Sequence, residues 1–283
     1  MPAIKLRSRG EFPGAIRSII GLIVSAVIVF PLIWLFFTAF KSKGEIFQFP
    51  TRLLPLDWTF ENYLELFRIT QFLRYFINTA AISIVAAVIS ITIATCASYS
   101  LSRFRIPGGG VVAVALLLMY MLPEIVLGIP FMKIFLALGL SDSLVALTIA
   151  YISITLPFSI WMLRSYIESI PTALEEAALI DGCTRFQGFV RVIVPQAIPG
   201  IMATAIFTFI LCWNEYLYAL VLITSEQNKT LTLGLSILLG ETAIYSWGML
   251  AAGSVLTVIP VIVLFVFFQK HIVAGFTAGA IKG

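Results

Sequence analysis

Residues 169–195 of the chain read SIPTALEEAALIDGCTRFQGFVRVIVP, and they form the longest polar-rich interruption in its apolar C-terminal half. The stretch predicts two short helices joined at Gly182, because glycine readily takes the left-handed conformation that ends a helix. Apolar side chains recur at helical spacing along one stripe of the second helix; they are Phe186, Phe189, Val190, Ile193 and Val194. Such a stripe must be buried, either by the rest of this protein or by a partner.

Each of these two helices is predicted to begin with a threonine that is followed three positions later by a long polar side chain. The first pair is Thr172 with Glu175, just after Pro171, and the second is Thr184 with Gln187. Both have the spacing of a capping box, in which two side chains satisfy free backbone N–H groups at the start of a helix.

The composition is that of a membrane protein. Apolar residues make up 60% of the chain and charged residues 11%, whereas soluble domains carry about a quarter charged residues. The polar segments are too short for a separate soluble domain, so we predict one integral membrane domain. The three cysteines have no metal-site or disulfide spacing. The slight excess of basic residues is spread over the flanks of the apolar runs, which does not indicate nucleic-acid binding.

Six apolar stretches are long enough to cross a bilayer as helices, which takes about 20 residues. The runs are too long for barrel strands, so the fold class is an all-α integral membrane protein with six transmembrane helices. The spans are predicted at about residues 16–40, 77–101, 111–129, 143–163, 199–223 and 251–268. We expect an N-terminal arm at 1–18, the transmembrane domain at 19–270 and a C-terminal tail at 271–283.

Basic residues near the spans predict the orientation. A cluster of them lies at the N-terminus, and Arg103 with Arg105 lies in the short segment between the second and third spans. Both ends of the chain and residues 169–195 are therefore expected on the cytoplasmic side.

A few polar side chains lie inside the predicted spans and are functional candidates by default. Glu124 lies in the third span, and Asn214, Glu215 and Tyr216 interrupt the apolar run of the fifth. We interpret them as lining a substrate pathway or gate. The alternative is that Glu215 only reaches the membrane surface beside an aromatic belt, formed by Trp213, Tyr216 and Tyr218.

Two further features concern the shape of the bundle. Prolines interrupt three of the predicted spans, which suggests a bundle that lines a cavity and moves; they are Pro123, Pro130, Pro157 and Pro260. Residues 231–240, LTLGLSILLG, are apolar but too short to span, so we expect them to dip back into the bundle or cover its outer mouth.

Signatures of catalysis are missing from the sequence. There is no Gly-x4-Gly-Lys-Ser/Thr nucleotide loop, and the single histidine, His271, makes a histidine-based metal or acid–base site improbable. We therefore expect a non-catalytic chain that binds no metal and no cofactor.

The spacing within residues 169–195 resembles the EAA loop of ATP-binding-cassette importer permeases. That loop reads Glu-Ala-Ala, three residues, Gly, nine residues, then Ile-x-Leu-Pro. Here Glu176-Ala177-Ala178 stands three residues before Gly182, and nine residues then lead to Val192-Ile-Val-Pro195. Other segments look like the sugar-type subfamily similar to the maltose permease G subunit; they include Asn78-Thr79, residues 98–107, Trp213-Asn214-Glu215 and residues 275–283.

This resemblance implies a type I importer permease with a MetI-like core, which forms half of a heterodimeric pathway for a sugar or related polyol. It implies that EAA residues couple to an ATPase; they are Glu176, Ala177, Ala178, Asp181, Gly182, Phe186, Phe189 and Pro195. The implied partners are a second permease subunit, a dimeric cytoplasmic ATPase that uses ATP and Mg, and an extracytoplasmic solute-binding protein. The implied location is the cytoplasmic (inner) membrane of a bacterium or archaeon. The alternative function is an ion-coupled secondary transporter or a channel, acting without ATP.

Overall fold

The computed structural model describes residues 14–239 and 243–280. Residues 1–13 of the predicted N-terminal arm and residues 281–283 of the predicted tail lie outside this part. In the described ranges there is no strand, so the all-α prediction is confirmed. The α-helices are α1 Gly14–Thr38, α2 Lys43–Ile46, α3 Glu61–Ile69, α4 Phe72–Arg103, α5 Gly109–Met121, α6 Glu124–Ala137, α7 Leu144–Ser169, α8 Ala173–Ile180, α9 Arg185–Gly188, α10 Val194–Asn214, α11 Leu217–Leu222, α12 Leu231–Ser236 and α13 Ala243–Ala280.

Five helical stretches in the described part are long and apolar enough to cross a membrane. They are Ser18–Thr38, Phe72–Arg103, Leu144–Ser169, Arg185–Asn214 and Trp247–Gln269. The helices α5 and α6 together make a sixth candidate, although they are bent by 96° at the break between them. Every predicted span therefore falls on a candidate span of the structure.

The prolines differ in their effect on the helices. The bend between α5 and α6 lies at Pro123, which directly precedes α6. Pro130, Pro157 and Pro260 instead lie inside continuous helices, so the predicted interruptions at these three positions are wrong. A membrane helix tolerates proline because neighbouring helices and hydroxyl side chains satisfy the freed carbonyl groups.

The centre of the bundle is formed by α4, α7 and α10. Small buried residues at their contacts, such as Ala94 and Ala150, let the backbones approach closely. Buried hydroxyl groups also join the helices. The Ser90 and Thr155 hydroxyls lie 2.9 Å apart, and the Ser98 hydroxyl donates to the carbonyl oxygen of Ile160 at 2.9 Å.

At the end of the bundle where α4 begins, residues 224–239 fold inward. The Leu231 N–H donates to the Thr79 hydroxyl at 2.7 Å. The Asn78 side-chain amide donates to the carbonyl oxygens of Gln227 and Lys229 at 2.9 and 3.0 Å. Leu231 itself is fully buried. Of the two placements predicted for residues 231–240, the described residues 231–239 adopt the return into the bundle. We call residues 224–239 the return segment.

Candidate functional site

Residues 169–195 lie at the opposite end of the bundle, where α4 and α7 end and α10 begins. Gly182 has a backbone φ of 88°, the left-handed conformation that glycine adopts without strain. Its neighbour Cys183 donates its N–H to the carbonyl oxygen of Ala178 at 3.0 Å and so closes the end of α8. The predicted pair of helices joined at Gly182 is therefore confirmed.

The two predicted capping boxes have different outcomes. At the start of α9 the Gln187 N–H donates to the Thr184 hydroxyl at 3.3 Å, and the Thr184 N–H donates to the Gln187 side-chain oxygen at 2.8 Å. This second box is confirmed. The first is wrong, because the Thr172 side chain makes no capping hydrogen bond at α8. The Glu175 carboxylate that the box requires is engaged with α4 instead.

Glu175 is a residue whose importance the sequence reasoning missed. It is buried, the Tyr99 hydroxyl donates to its Oε1 atom, and its Oε2 atom lies 3.2 Å from Arg103 Nε. Arg103 also donates from Nη2 to the carbonyl oxygen of Ile170 at 2.8 Å. One signal in the sequence could have indicated this cluster: Tyr99 and Arg103 lie one helical turn apart at the end of a span, so both can face the same neighbour.

The apolar stripe of the second helix is divided between two environments. Phe189 is only 8% exposed, and its ring lies 4.6 Å from the Tyr99 ring. Ile193 is fully buried within the chain. Phe186, in contrast, is 73% exposed. Ile180, in the neighbouring helix α8, is 86% exposed. The chain therefore covers Phe189 and Ile193 of the stripe itself and leaves Phe186 and Val190 uncovered.

The remaining candidates of the EAA loop also divide by exposure. Most are exposed at the surface of the segment; they are Glu176, Ala177, Asp181, Gly182 and Pro195. Ala178 is buried beneath α8. Residues 189–193, just before Pro195, form a π-helical turn. Proline has no N–H to continue the α-helical hydrogen bonds, and π-turns are frequent at functional sites.

The second group of candidates lines a mostly apolar cavity of about 700 Å³, which we call the Glu215 cavity. The bend at Pro123 and the end of α10 bring all four predicted residues to its wall, although they lie far apart in the sequence: Glu124, Asn214, Glu215 and Tyr216. Tyr120 and Thr155 also line this cavity, and the sequence reasoning did not identify them.

The chain is not helical at Glu215 and Tyr216, where α10 has ended and α11 has not begun. The buried Glu215 carboxylate accepts hydrogen bonds from the N–H groups of Tyr218 and Ala219, at 2.6 and 3.3 Å. It therefore caps α11 from inside the bundle. Trp213 and Tyr218 are buried as well, so the alternative of an outer aromatic belt at these residues is wrong.

Comparison with known proteins shows clear relatives. Residues 90–277 match the family described as binding-protein-dependent transport system inner membrane component. The diacetylchitobiose uptake system permease protein of Streptomyces coelicolor is 38% identical over 276 residues, covering 94% of this chain and 99% of that protein. The trehalose/maltose transport system permease protein of Thermococcus litoralis is 33% identical over 278 residues, covering 97% and 99%.

A solved structure has the same fold over nearly the whole chain. It is a chain of a bacterial ABC transporter involved in the import of the acidic polysaccharide alginate. The TM-score is 0.76 at 25% sequence identity, and the match covers 91% of this chain and 95% of that one.

Proposed function

Since this chain belongs to the family of binding-protein-dependent transport system inner membrane components, we propose that it is the permease subunit of an importer for a sugar or related polyol, driven by a partner ATPase. The family membership confirms the resemblance seen in the EAA spacing. In this proposal the chain itself is not catalytic and binds no cofactor, while ATP and Mg are bound by the ATPase.

One observation carries the coupling part of the proposal. The 169–195 segment has exposed apolar side chains, among them Ile180 and Phe186, next to exposed charges such as Glu176 and Asp181. An apolar patch rimmed by charged residues is typical of a protein–protein interface. We therefore assign this patch to a groove on a dimeric cytoplasmic ATPase. The basic residues at this end, Arg103 and Arg105 among them, favour the cytoplasmic side, with both termini there.

The Glu215 cavity is proposed to form part of the substrate pathway. Glu124 lies in the first turn of α6 and is exposed, and Asn214 lines the same cavity. Carboxylate and amide groups can hydrogen-bond sugar hydroxyls, and the rings of Tyr120 and Tyr216 offer apolar faces. A sugar substrate also agrees with the substrates named for the two relatives, diacetylchitobiose and trehalose or maltose.

Two further partners belong to the proposal. A second permease subunit would complete the pathway as a heterodimer, and an extracytoplasmic solute-binding protein would deliver the sugar. The family description, which names binding-protein dependence and the inner membrane, supports both the delivery step and the location.

The experiment compares two exposed phenylalanines in the full complex. Phe186→Asp alters the proposed ATPase contact, and Phe49→Asp is the control, since Phe49 is 92% exposed in the loop before α3. We expect Phe186→Asp to weaken ATPase binding at least about thirtyfold, as for a central interface anchor, and to abolish ATP-dependent sugar import into proteoliposomes. Phe49→Asp should leave ATPase binding unchanged. Import by the chain alone, without ATP, would contradict the proposal and support the ion-coupled alternative.

A further inference from the structure

We propose that Tyr99, Arg103 and Glu175 form a joint through which movement of the 169–195 segment is passed to α4. We call these three residues the Glu175 joint. The inference rests on the proposed function, because it concerns how the ATPase-driven movement reaches the membrane helices. In this assignment the three are positioning residues, and none of them contacts the sugar or the ATPase.

The helix is broken on one side of the segment, towards α7, and is irregular on the other side, towards α10. Between α7 and α8 the chain is not α-helical at residues 170–172. Between α9 and α10 it passes through the π-helical turn at residues 189–193, and Pro195 and Pro199 follow in the first turns of α10. Such irregular turns are the places where helices bend. The chain connects the segment directly to α7 and α10 but not to α4, so a contact between side chains is needed if the segment is to move α4.

The Glu175 joint supplies that contact. The Glu175 and Arg103 side chains are 10% and 8% exposed, and their nearest charged atoms lie 3.2 Å apart. A buried ion pair resists separation, because either charge would be left without a partner in a medium of low polarity. Arg103 additionally fixes the chain at Ile170 through its hydrogen bond to that carbonyl oxygen. One side chain of α4 therefore binds both α8 and the link that precedes it.

Aromatic packing holds the joint in one orientation. The Tyr99 ring packs on Phe189 at 4.6 Å and meets Phe104 edge-on at 5.7 Å between ring centroids. The Tyr99 hydroxyl, which donates to Glu175, is thereby placed by contacts with both α4 and the π-helical turn. This explains why Phe189 is buried while Phe186, in the same stripe, is exposed.

Beyond the joint, α4 leads to the return segment, which contacts the cavity residue Glu215. It has 32 residues, which gives a length of about 48 Å at the α-helical rise. Near its other end Asn78 and Thr79 hold the return segment. In that segment the Thr232 hydroxyl donates to the carbonyl oxygen of Glu215 at 2.6 Å, and Glu215 lines the cavity. A continuous series of helix and hydrogen bonds thus joins the two functional ends.

The test measures sugar imported per ATP hydrolysed, in proteoliposomes that contain the assembled transporter. Glu175→Gln keeps the side-chain size and removes the charge. The matched control is Glu168→Gln, since Glu168 pairs with Arg164 at 2.8 Å on α7 near the same end of the bundle, but in an exposed position. We expect Glu175→Gln to lower the import-to-hydrolysis ratio about tenfold, within the usual range of coupling between sites, with hydrolysis retained. Glu168→Gln should match the wild type.

A second measurement remains informative if Glu175→Gln fails to assemble. Spin labels at Ile180 and Ile106, in a chain without Cys96 and Cys183, report the distance between α8 and the end of α4. The joint predicts the same distance with and without ATP. A distance that changes with ATP, or an unchanged import-to-hydrolysis ratio in Glu175→Gln, overturns the joint. Loss of ATP-dependent import in the wild-type complex would instead overturn the proposed function.

Discussion

The 169–195 segment and the return segment both connect helices at the ends of the bundle, yet their structures are determined differently. In the first, short-range rules decide most of the geometry: Thr184 caps α9, and Gly182 ends α8. In the second, the decisive bonds join residues far apart in the sequence. Asn78 and Thr79 bind it from α4, and Asp142 binds it from the loop before α7. The turns of the first segment are determined mainly by its own sequence, apart from the Glu175 joint to α4, whereas the second segment is held by the bundle.

Two glycines show this difference directly. A Cβ atom at Gly182 would have no neighbour within 4 Å, so only its φ of 88° requires glycine. A Cβ atom at Gly234 in α12 would lie 2.3 Å from Cδ2 of Tyr75. That ring is buried, and its hydroxyl is bound to Glu226. The glycine of the 169–195 segment is needed for its conformation, and the glycine of the return segment for space.

We expect Gly234→Ala to have the largest effect on stability. The added methyl group cannot be accommodated without moving the Tyr75 ring, and overpacking of this kind lowers the free energy of unfolding by about 3 kcal/mol. Gly182→Ala introduces only left-handed strain, at about 1 kcal/mol. Thermal unfolding in detergent, followed through the reactivity of the buried Cys212 thiol in a chain without Cys96 and Cys183, measures both.

The matched variant is Gly182→Asn, because asparagine tolerates the left-handed conformation better than alanine does. It should recover part of the stability that Gly182→Ala loses. If Gly234→Ala were no more destabilising than Gly182→Ala, the contact between α12 and Tyr75 would not be tightly packed, and the comparison of the two glycines would be wrong.

Replacing Asp142 should lower the free energy of unfolding by an intermediate amount, and this loss should depend on pH. Its Oδ1 atom accepts hydrogen bonds from the N–H groups of Thr224 and Ser225 at 2.9 and 3.0 Å. Burial raises the pKa of this carboxyl, but hydrogen bonds from Ser225 and Thr224 outweigh it, so the pKa lies below its usual value. We expect Asp142→Ala to lower the free energy of unfolding by about 2 kcal/mol at neutral pH.

The sign of the pH dependence follows from the lowered pKa. The stabilisation by the Asp142 carboxylate is complete above its unfolded pKa of about 4, and it is lost as the pH falls through the lower folded value. The stability difference between wild type and Asp142→Ala should therefore shrink on acidification below about pH 4. Asp142→Asn keeps an oxygen acceptor and suits the φ of 52° at this position. Asp142→Asn should therefore lower the free energy of unfolding less than Asp142→Ala does. Equal losses in the two variants would show that the side-chain oxygen does not hold the return segment.

The difference between local and long-range contacts also explains which features could be predicted from the sequence. Hydropathy indicates every candidate span, because bilayer crossing depends on length and composition within one stretch. The spacing of Gly182, Thr184 and Gln187 predicts the second helix of the 169–195 segment, because those interactions are local. Glu175 misled the prediction: its spacing from Thr172 fits a cap, but its carboxylate is bound by Arg103 and the Tyr99 hydroxyl of α4. Those residues lie more than 70 positions earlier in the chain, where local spacing gives no signal.

The Glu215 cavity shows a second limit of prediction from the sequence. Glu124 and Asn214 were identified singly, because any charged or amide side chain in an apolar span is conspicuous. Their meeting at one wall depends on the 96° bend between α5 and α6 and on the end of α10 at Asn214. Thr155 and Tyr120 carry no such signal, since hydroxyl and aromatic side chains are common in membrane helices. Only the packing of the helices identifies them.

The smallest predicted effect distinguishes the two capping boxes. Thr184→Ala removes the hydroxyl that accepts the Gln187 N–H, and losing such a cap costs about 1 kcal/mol. Thr172→Ala removes a hydroxyl that makes no capping bond and should have no effect. Hydrogen exchange followed by mass spectrometry should show α9 exchanging about fivefold faster in Thr184→Ala, with α8 unchanged in Thr172→Ala. Faster exchange of α8 in Thr172→Ala would mean that the threonine does cap this helix. Glu175 would then be free to leave Arg103, and α8 would be held by its own sequence rather than by α4.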